Sequence, residues 1–236
     1  MQQSLIAFGL SKEHLVSIAP DLRAERETAR AFQALGRRAV ERGLALRVAS
    51  AFRDYDRQVR IINDKWTGAR PVTDGEGRLL KRNRYDDQEW LNLILRFSAL
   101  PGTSRHHWGT DLDIWDVSAV DEDYRLQLAP SEYGPSGPFC EMTCWLDDLM
   151  AADDAEGFFK PYARDRGGIA PEPWHISFRP VAMKYQHRVA PELLMPLWRG
   201  EADFCGNAHE PLAMLEVMSP LKQLKKKHVR LFYFHS

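Results

Sequence analysis

A chain of 236 residues with 44% hydrophobic and 28% charged side chains has an ordinary globular composition and the length of one large domain or two small ones. Lys and Arg number 32 against 33 Asp and Glu, and this net charge of −1 offers no basic footprint for nucleic acid and no membrane-binding surface. Three cysteines, Cys140, Cys144 and Cys205, do not make a disulfide framework, and no stretch approaches the ~20 apolar residues of a membrane-spanning helix.

The opening MQQSLIAFGLSKEHL lacks a basic start, and its apolar run extends only from Leu5 to Leu10, so no signal peptide is read and the compartment stays open. Residues 11–19 and 23–43 are predicted as helices, with Ser11 a candidate cap for the first and Gly43 ending the second. Leu44 to Ala51 alternates apolar with polar and reads as a strand. Asp54 to Trp66 returns to helical spacing through Val59, Ile62 and Trp66. Gly68, Pro71, Gly75 and Gly77 mark 67–85 as an exposed loop. Residues 86–100 form a helix with an acidic first turn and apolar Trp90, Leu91, Ile94 and Leu95.

Pro101-Gly102 breaks the chain before a strand from Leu112 to Val117. A Gly/Pro cluster at 134–138 precedes a helix from Phe139 to Ala152, where Cys140 and Cys144 read as small buried hydrophobes. Gly167-Gly168, Pro171 and Pro173 lead into a short strand, Trp174 to Phe178. The last 55 residues read as helical, with Lys225-Lys226-Lys227 a solvated helix end, and they close on a strand-like run from Val229 to Phe234. With no linker in the composition, the reading is one α+β domain over 1–236, a small mixed or antiparallel central sheet with helices around it.

Four segments carry residues that make chemical sense together. In Ser104-Arg105-His106-His107-Trp108-Gly109-Thr110-Asp111-Leu112-Asp113, a histidine at a loop end is followed seven residues later by a carboxylate within a strand. The two can converge on one ion if the chain turns at Gly109. Asp111 and Asp113 share a strand face, and Ile114 and Asp116 point the other way. In Glu172-Pro173-Trp174-His175, a proline fixes the backbone between a carboxylate and an imidazole. Two histidines and one carboxylate make a catalytic zinc set that leaves a fourth position to water, with a non-ligating Glu free to take that water's proton.

Arg53, at the end of Ser50-Ala51-Phe52-Arg53, can stabilise an oxyanion or hold a terminal carboxylate in a fork, and Gln58 can orient that arginine or the substrate backbone. Trp108 and Trp174 are expected to wall the pocket. His107, next to His106, is expected behind the ligand or at the surface, and His187, His209 and His228 carry no assignment.

Ser104-x-His106-x-x-Gly109-x-x-x-Asp113 followed by Glu172-Pro-Trp-His175 resembles the signature of the D-alanyl-D-alanine carboxypeptidase and dipeptidase family. That family includes vancomycin-resistance peptidases of the VanY and VanX type and shares its fold with the Hedgehog signalling domain. Ser50-Ala-Phe-Arg53 with Gln58 is similar to the family's Ser-Gly-Tyr-Arg…Gln segment, with Ala51 and Phe52 in place of Gly and Tyr. The likeness spans 45–180, and the flanks 1–43 and 186–236 read as helical additions.

The resemblance implies zinc on His106, Asp113 and His175, Glu172 as general base, Arg53 stabilising the transition state and Ser104 lining the substrate site. Asp111 stands where the family often has alanine. The expected activity is a zinc carboxypeptidase acting on peptidoglycan stem peptides, D-Ala-D-Ala first among them, and that substrate implies the periplasm or cell wall. The alternatives are a lysin-like endopeptidase and a non-catalytic zinc-binding module like the Hedgehog domain.

Overall fold

In chain order the computed structural model has α1 (Gln2–Ala7), β1 (Leu15–Ala19), β2 (Leu22–Glu25), α2 (Arg26–Glu41), β3 (Leu46–Ser50), α3 (Tyr55–Thr67) and α4 (Asp87–Leu95). There follow β4 (Asp111–Asp116), α5 (Pro130–Tyr133), α6 (Cys140–Ala151), β5 (Phe158–Phe159), β6 (His175–Phe178), α7 (Arg179–Gln186), α8 (Pro191–Trp198) and α9 (Leu215–Met218). The structure describes residues 2–186 and 191–218. The lysine run at 225–227, the strand-like run Val229 to Phe234, His187 and His228 lie outside the described residues.

Acidic side chains open the helices that frame the site. Glu25 accepts from the Thr28 N–H at 2.9 Å and starts α2, and Asp54 accepts from the Arg57 N–H at 2.8 Å and starts α3. Asp86 and Glu89 cap each other's backbone N–H groups at the start of α4. Each carboxylate satisfies a donor the helix leaves open and meets the positive end of the helix dipole. Gly68, at φ 84°, ends α3 in the left-handed region where glycine carries no Cβ penalty.

β3, β4, β6 and β5 form one antiparallel sheet in the order β3-β4-β6-β5. Its register carries the functional meaning of the fold. Ser50 lies across from Asp113, Asp113 across from His175, and Asp111 across from Ser177. Residues facing one another across an antiparallel pair have Cβ atoms about 5 Å apart, so three strands bring their polar side chains to one spot. The sheet's other side is apolar, with Leu112, Ile114 and Ile176 fully buried.

Residues 11–19 do not form the helix that the sequence pattern predicts. β1 pairs with β2 in a separate two-stranded hairpin, and Ser11, instead of capping a helix, accepts from the Glu13 N–H at 3.5 Å. The β-branched Val16 and Ile18 favour extended backbone, and Pro20-Asp21, with Asp21 at φ 60°, makes the turn. Nor are the paired cysteines of α6 core residues. Cys140 is half-buried and Cys144 exposed, with their sulfurs 3.9 Å apart.

Trp90, Trp108, Tyr55, Phe8, Phe139 and Leu35 are the largest fully buried side chains. Trp108 fixes the turn before β4 in this core. Its indole N–H donates to the Ala7 carbonyl at 3.2 Å, and the Arg105 guanidinium lies 4.7 Å over its ring.

Candidate metal centre

His106 lies in a 3-10 turn, Arg105–Trp108, that Gly109 closes at φ 71°. A Cβ at 109 would stand 2.6 Å from Leu15 Cδ2 and 2.9 Å from the Glu25 nitrogen, so the β1–β2 hairpin packs where only glycine fits. The turn is laced to the segment after β3: the Arg53 N–H donates to the His106 carbonyl at 3.1 Å, and His106 Nδ1–H donates to the Ala51 carbonyl at 2.8 Å. That bond fixes the tautomer and aims the His106 Nε2 lone pair at Asp113, whose Oδ2 is 3.3 Å away.

His175 opens β6 and is fixed from behind in the same way. Its Nε2–H donates to Asp111 Oδ1 at 2.9 Å, which turns Nδ1 toward Asp113 Oδ1 and Glu172 Oε2, each 3.2 Å distant. Asp111 is held in turn by Arg105 Nε at 2.8 Å, the Thr110 hydroxyl at 2.6 Å and the Ser177 hydroxyl at 3.0 Å. Asp111 therefore faces the far nitrogen of His175, while Asp113 faces the near one. Sequence reasoning missed this support entirely. Arg105 and Thr110 reach Asp111 from within the same turn and strand, whereas Ser177 and His175 reach it only when β6 pairs with β4.

His106, Asp113 and His175 are buried, and one ligand atom from each lies within 4.8 Å of the others. The donor set fits a divalent cation. Asp113 Oδ1 and His175 Nδ1 are buried atoms without a hydrogen bond, although they are 3.2 Å apart. Because Nε2 carries the His175 proton, Nδ1 presents a lone pair to two carboxylates, and such facing acceptors repel unless a positive charge lies between them. Without a cation a second proton on His175 would fill the same role: burial lowers its pKa, but Asp111, Asp113 and Glu172 together raise it well above its usual value. Burial pushes Asp113 up, and His106 and His175 outweigh it, holding the carboxyl well below the usual carboxylate range. The pocket demands positive charge, and two imidazoles with one carboxylate suit zinc as ligands.

The remaining predicted residues fall around this centre. Glu172 lines the cleft beside His175, and its N–H donates to the Tyr162 carbonyl at 3.0 Å. Arg53 lines the cleft too, its Nη1 donating to Gln58 Oε1 at 2.9 Å and its Nη2 to Ser50 Oγ at 3.4 Å. Gln58 is fully buried and gives its other end to the Ala99 carbonyl at 2.7 Å, so it orients Arg53 instead of touching the cleft. Ser104 and Trp174 line the cleft, and Trp174 packs on Tyr133 at 5.5 Å between ring centroids.

Trp108 is in the core and walls nothing. His107 is fully buried, donating from Nδ1 to the Arg53 carbonyl at 2.6 Å and accepting at Nε2 from the Gly102 N–H at 2.9 Å. Burial lowers its pKa to about 3, so it braces the Arg53 loop as a neutral ring. His209 is held by Asp56 and Asp203, away from the cleft. The cleft over the centre has a volume of about 600 Å³, a size that accepts a small peptide.

An antiparallel α+β fold that carries two histidines, an aspartate and a free glutamate in an open cleft defines a candidate metallohydrolase. The family model described as VanY, D-alanyl-D-alanine carboxypeptidase, matches residues 21–181, and the chain belongs to that family. An uncharacterized protein of Haemophilus influenzae is 38% identical over 104 residues, 44% of this chain and 78% of its own. Among solved structures, VanYB in complex with D-alanine-D-alanine superposes with a TM-score of 0.52 at 20% identity, over 75% of this chain and 83% of that one. A mutant of the D,D-pentapeptidase VanY from a VanB-type resistance cassette, in complex with Zn(II), gives 0.50 at 22% identity, over 75% and 86%. These likenesses establish a shared fold, a sheet with surrounding helices of the DD-peptidase type.

Proposed function

We propose that this protein is a zinc-dependent carboxypeptidase that removes a C-terminal D-amino acid, D-alanine first, from peptidoglycan stem peptides. One observation carries the reading: Glu172 Oε2 lies 3.2 Å from the ligand-facing nitrogen of His175 without being needed to complete the His106, Asp113, His175 set. A purely structural zinc site usually closes with four protein ligands, whereas this one keeps a side open beside a carboxylate. Membership of the VanY family and the Zn(II) held by a structural relative support the choice of metal and substrate. Such a substrate puts the site of action at the periplasm or cell wall.

A bound zinc ion would lower the pKa of water and polarise a peptide carbonyl. Glu172 takes the proton from the attacking water and returns it to the departing amine, so one carboxylate serves as base and then as acid. Arg53, its fork set by Gln58 and Ser50, meets the negative charge that grows at the reacting end of the peptide. Asp111 and the Ala51 carbonyl hold the two imidazoles in the tautomers that direct lone pairs at the centre. Ser104 and Trp174 shape the wall against which the peptide lies.

The test is mass spectrometry of stem pentapeptides and tetrapeptides incubated with zinc-loaded protein. Loss of a single C-terminal D-residue, with the L-terminated control intact, is the expected result. Cleavage inside the stem would make the protein an endopeptidase, and no cleavage of any stem peptide by zinc-loaded protein would end the reading.

A further inference from the structure

Arg57, Ile61 and Lys65 follow one another at four-residue spacing, so they share one face of α3, and all three line the cleft. Arg70 lines it as well, drawn back by the bond from its N–H to the Asp64 carbonyl at 2.9 Å. Arg57 and Arg70 are exposed. Lys65 is half-buried, and its ammonium donates to Ser98 Oγ at 2.7 Å, leaving two of three donors unused. Among the described residues, none of the three cations has a carboxylate within ion-pair distance.

The acids that line the same cleft are engaged elsewhere. Asp74 and Glu76 each pair with Arg78 at 2.7 Å. Glu132 accepts from the Tyr124 hydroxyl at 2.8 Å and from the Gln127 and Ala129 N–H groups at 3.0 and 2.9 Å. Asp113 and Glu172 face the candidate metal centre, where a bound dication would balance them. The positive charge of Arg57, Lys65 and Arg70 is therefore left unmatched by these acids. Its cost shows in Lys65, whose pKa burial, Arg70 and Arg53 push down to about 8.

One terminal carboxylate does not account for this charge. Arg57 and Lys65 are eight residues apart, about 12 Å along a helix. Arg53, tied to Gln58 and Ser50, lines the same cleft and adds a fourth cation within electrostatic reach of these three. The cations outnumber and outreach what a single carboxylate at the reacting end can satisfy.

We propose that Arg57, Lys65 and Arg70 form a second carboxylate subsite, and that the preferred substrate is a peptide carrying a free carboxylate in addition to the one at its C-terminus. The subsite rests on the peptidase reading for the nature of the ligand, a peptide, and on the cleft alone for its charge.

Binding is measured by calorimetry on zinc-loaded Glu172→Gln protein, so that it does not depend on turnover. Three peptides ending in D-alanine serve as probes: one with a side-chain carboxylate on the penultimate residue, the same peptide with that group as carboxamide, and the first with its terminus amidated. The side-chain acid should bind at least about tenfold more tightly than its carboxamide, which is the conversion of roughly 1.4 kcal/mol of charge-assisted contact. That preference should shrink toward unity when Arg57→Gln and Arg70→Gln are added, both at exposed positions that spare the fold, and again with Lys65→Met.

Equal binding of acid and side-chain carboxamide overturns the subsite. So does a result in which these substitutions erase only the effect of amidating the terminus, since the cations then serve the terminal carboxylate. Unmutated enzyme is assayed in parallel for cleavage of the same peptides. A binding preference without any cleavage removes the peptidase reading and leaves the subsite standing.

Discussion

Two aspartates two residues apart address opposite nitrogens of one imidazole. Asp113 Oδ1 lies 3.2 Å from His175 Nδ1, and Asp111 Oδ1 lies 2.9 Å from Nε2. A carboxylate behind a ligating histidine fixes the ring and strengthens its lone pair, and losing such support typically costs about 10- to 100-fold in metal affinity. Asp111→Asn should therefore weaken zinc binding by about that factor, measured by competition with a chromophoric chelator. Asp111→Ala should also strand Arg105, which is only 4% exposed, and destabilise the metal-free protein by about 3–5 kcal/mol in chemical denaturation. Unchanged zinc affinity in both variants would show that Asp111 does not act through His175. Glu172→Gln should keep zinc and lower kcat by about 10²- to 10⁴-fold, the usual worth of a general acid–base, read from steady-state hydrolysis and metal analysis. The spacings of His106, Asp113, Glu172 and His175 were legible because each motif is local in the chain. Strand parity put Asp111 and Asp113 on one face, but it says nothing of which ring nitrogen each meets. That Asp111 meets His175 and Ser177 depends on pairing between β4 and β6, some 65 residues apart, which no local pattern encodes.

At the scale of elements, the hairpin β1–β2 shows where periodicity misleads. Leu15, Val16 and Ile18 also fit a helical face, and only the β-branched pair and the Pro20-Asp21 turn tip the segment to extended backbone. The hairpin matters to the site because it is the wall against Gly109, and the Glu25 N–H donates to the Gly109 carbonyl at 2.8 Å. Gly109→Ala combines a left-handed backbone with a Cβ only 2.6 Å from Leu15 Cδ2, so it should cost about 1–3 kcal/mol in denaturant unfolding. It should weaken zinc binding as well, because the turn sets His106 against Asp113. Full stability in this variant would mean that the hairpin yields freely. Helix α3 supplies a pH test. Burial first, then Arg70 and Arg53, lower the pKa of the Lys65 ammonium to about 8 against an opposing pull from Glu172, so its charge is present below that pH and lost above it. The ratio of kcat/KM for side-chain acid over carboxamide peptide should therefore fall as pH rises through about 8, and Lys65→Met should flatten it. Taking a ratio cancels the titration of water and of Glu172, which act equally on both peptides. A ratio constant from pH 7 to 9 would remove Lys65 from recognition.

For the whole molecule, the candidate metal centre would double as a clasp. His106 comes from the turn before β4, Asp113 from β4 and His175 from β6, so one bound ion would tie the 106–113 segment to β6, which the unfolded chain holds far from it. The α+β class and the helices opening at 54 and 86 were legible from periodicity and, at 86, from the acidic first turn. The strand order β3-β4-β6-β5 was not, because β5 is two residues long and β6 four. Such short strands take their positions from pairing, and here the pairing also assembles the ligand set. A ligand bound by the folded state alone adds RT ln(1 + [L]/Kd), roughly 4 kcal/mol at a thousandfold excess over Kd. In a chain of this size each kcal/mol moves Tm by about 2–4 °C, so saturating zinc should raise Tm by on the order of 10 °C, and a chelator should reverse the gain. Asp113→Ala should melt without that response, since removing one of three ligands opens the clasp while the apolar face of Leu112, Ile114 and Ile176 still packs. An equal zinc shift in Asp113→Ala would place the ion elsewhere on the molecule, because a site that survives the loss of a ligand from the central strand is not the one that ties β4 to β6.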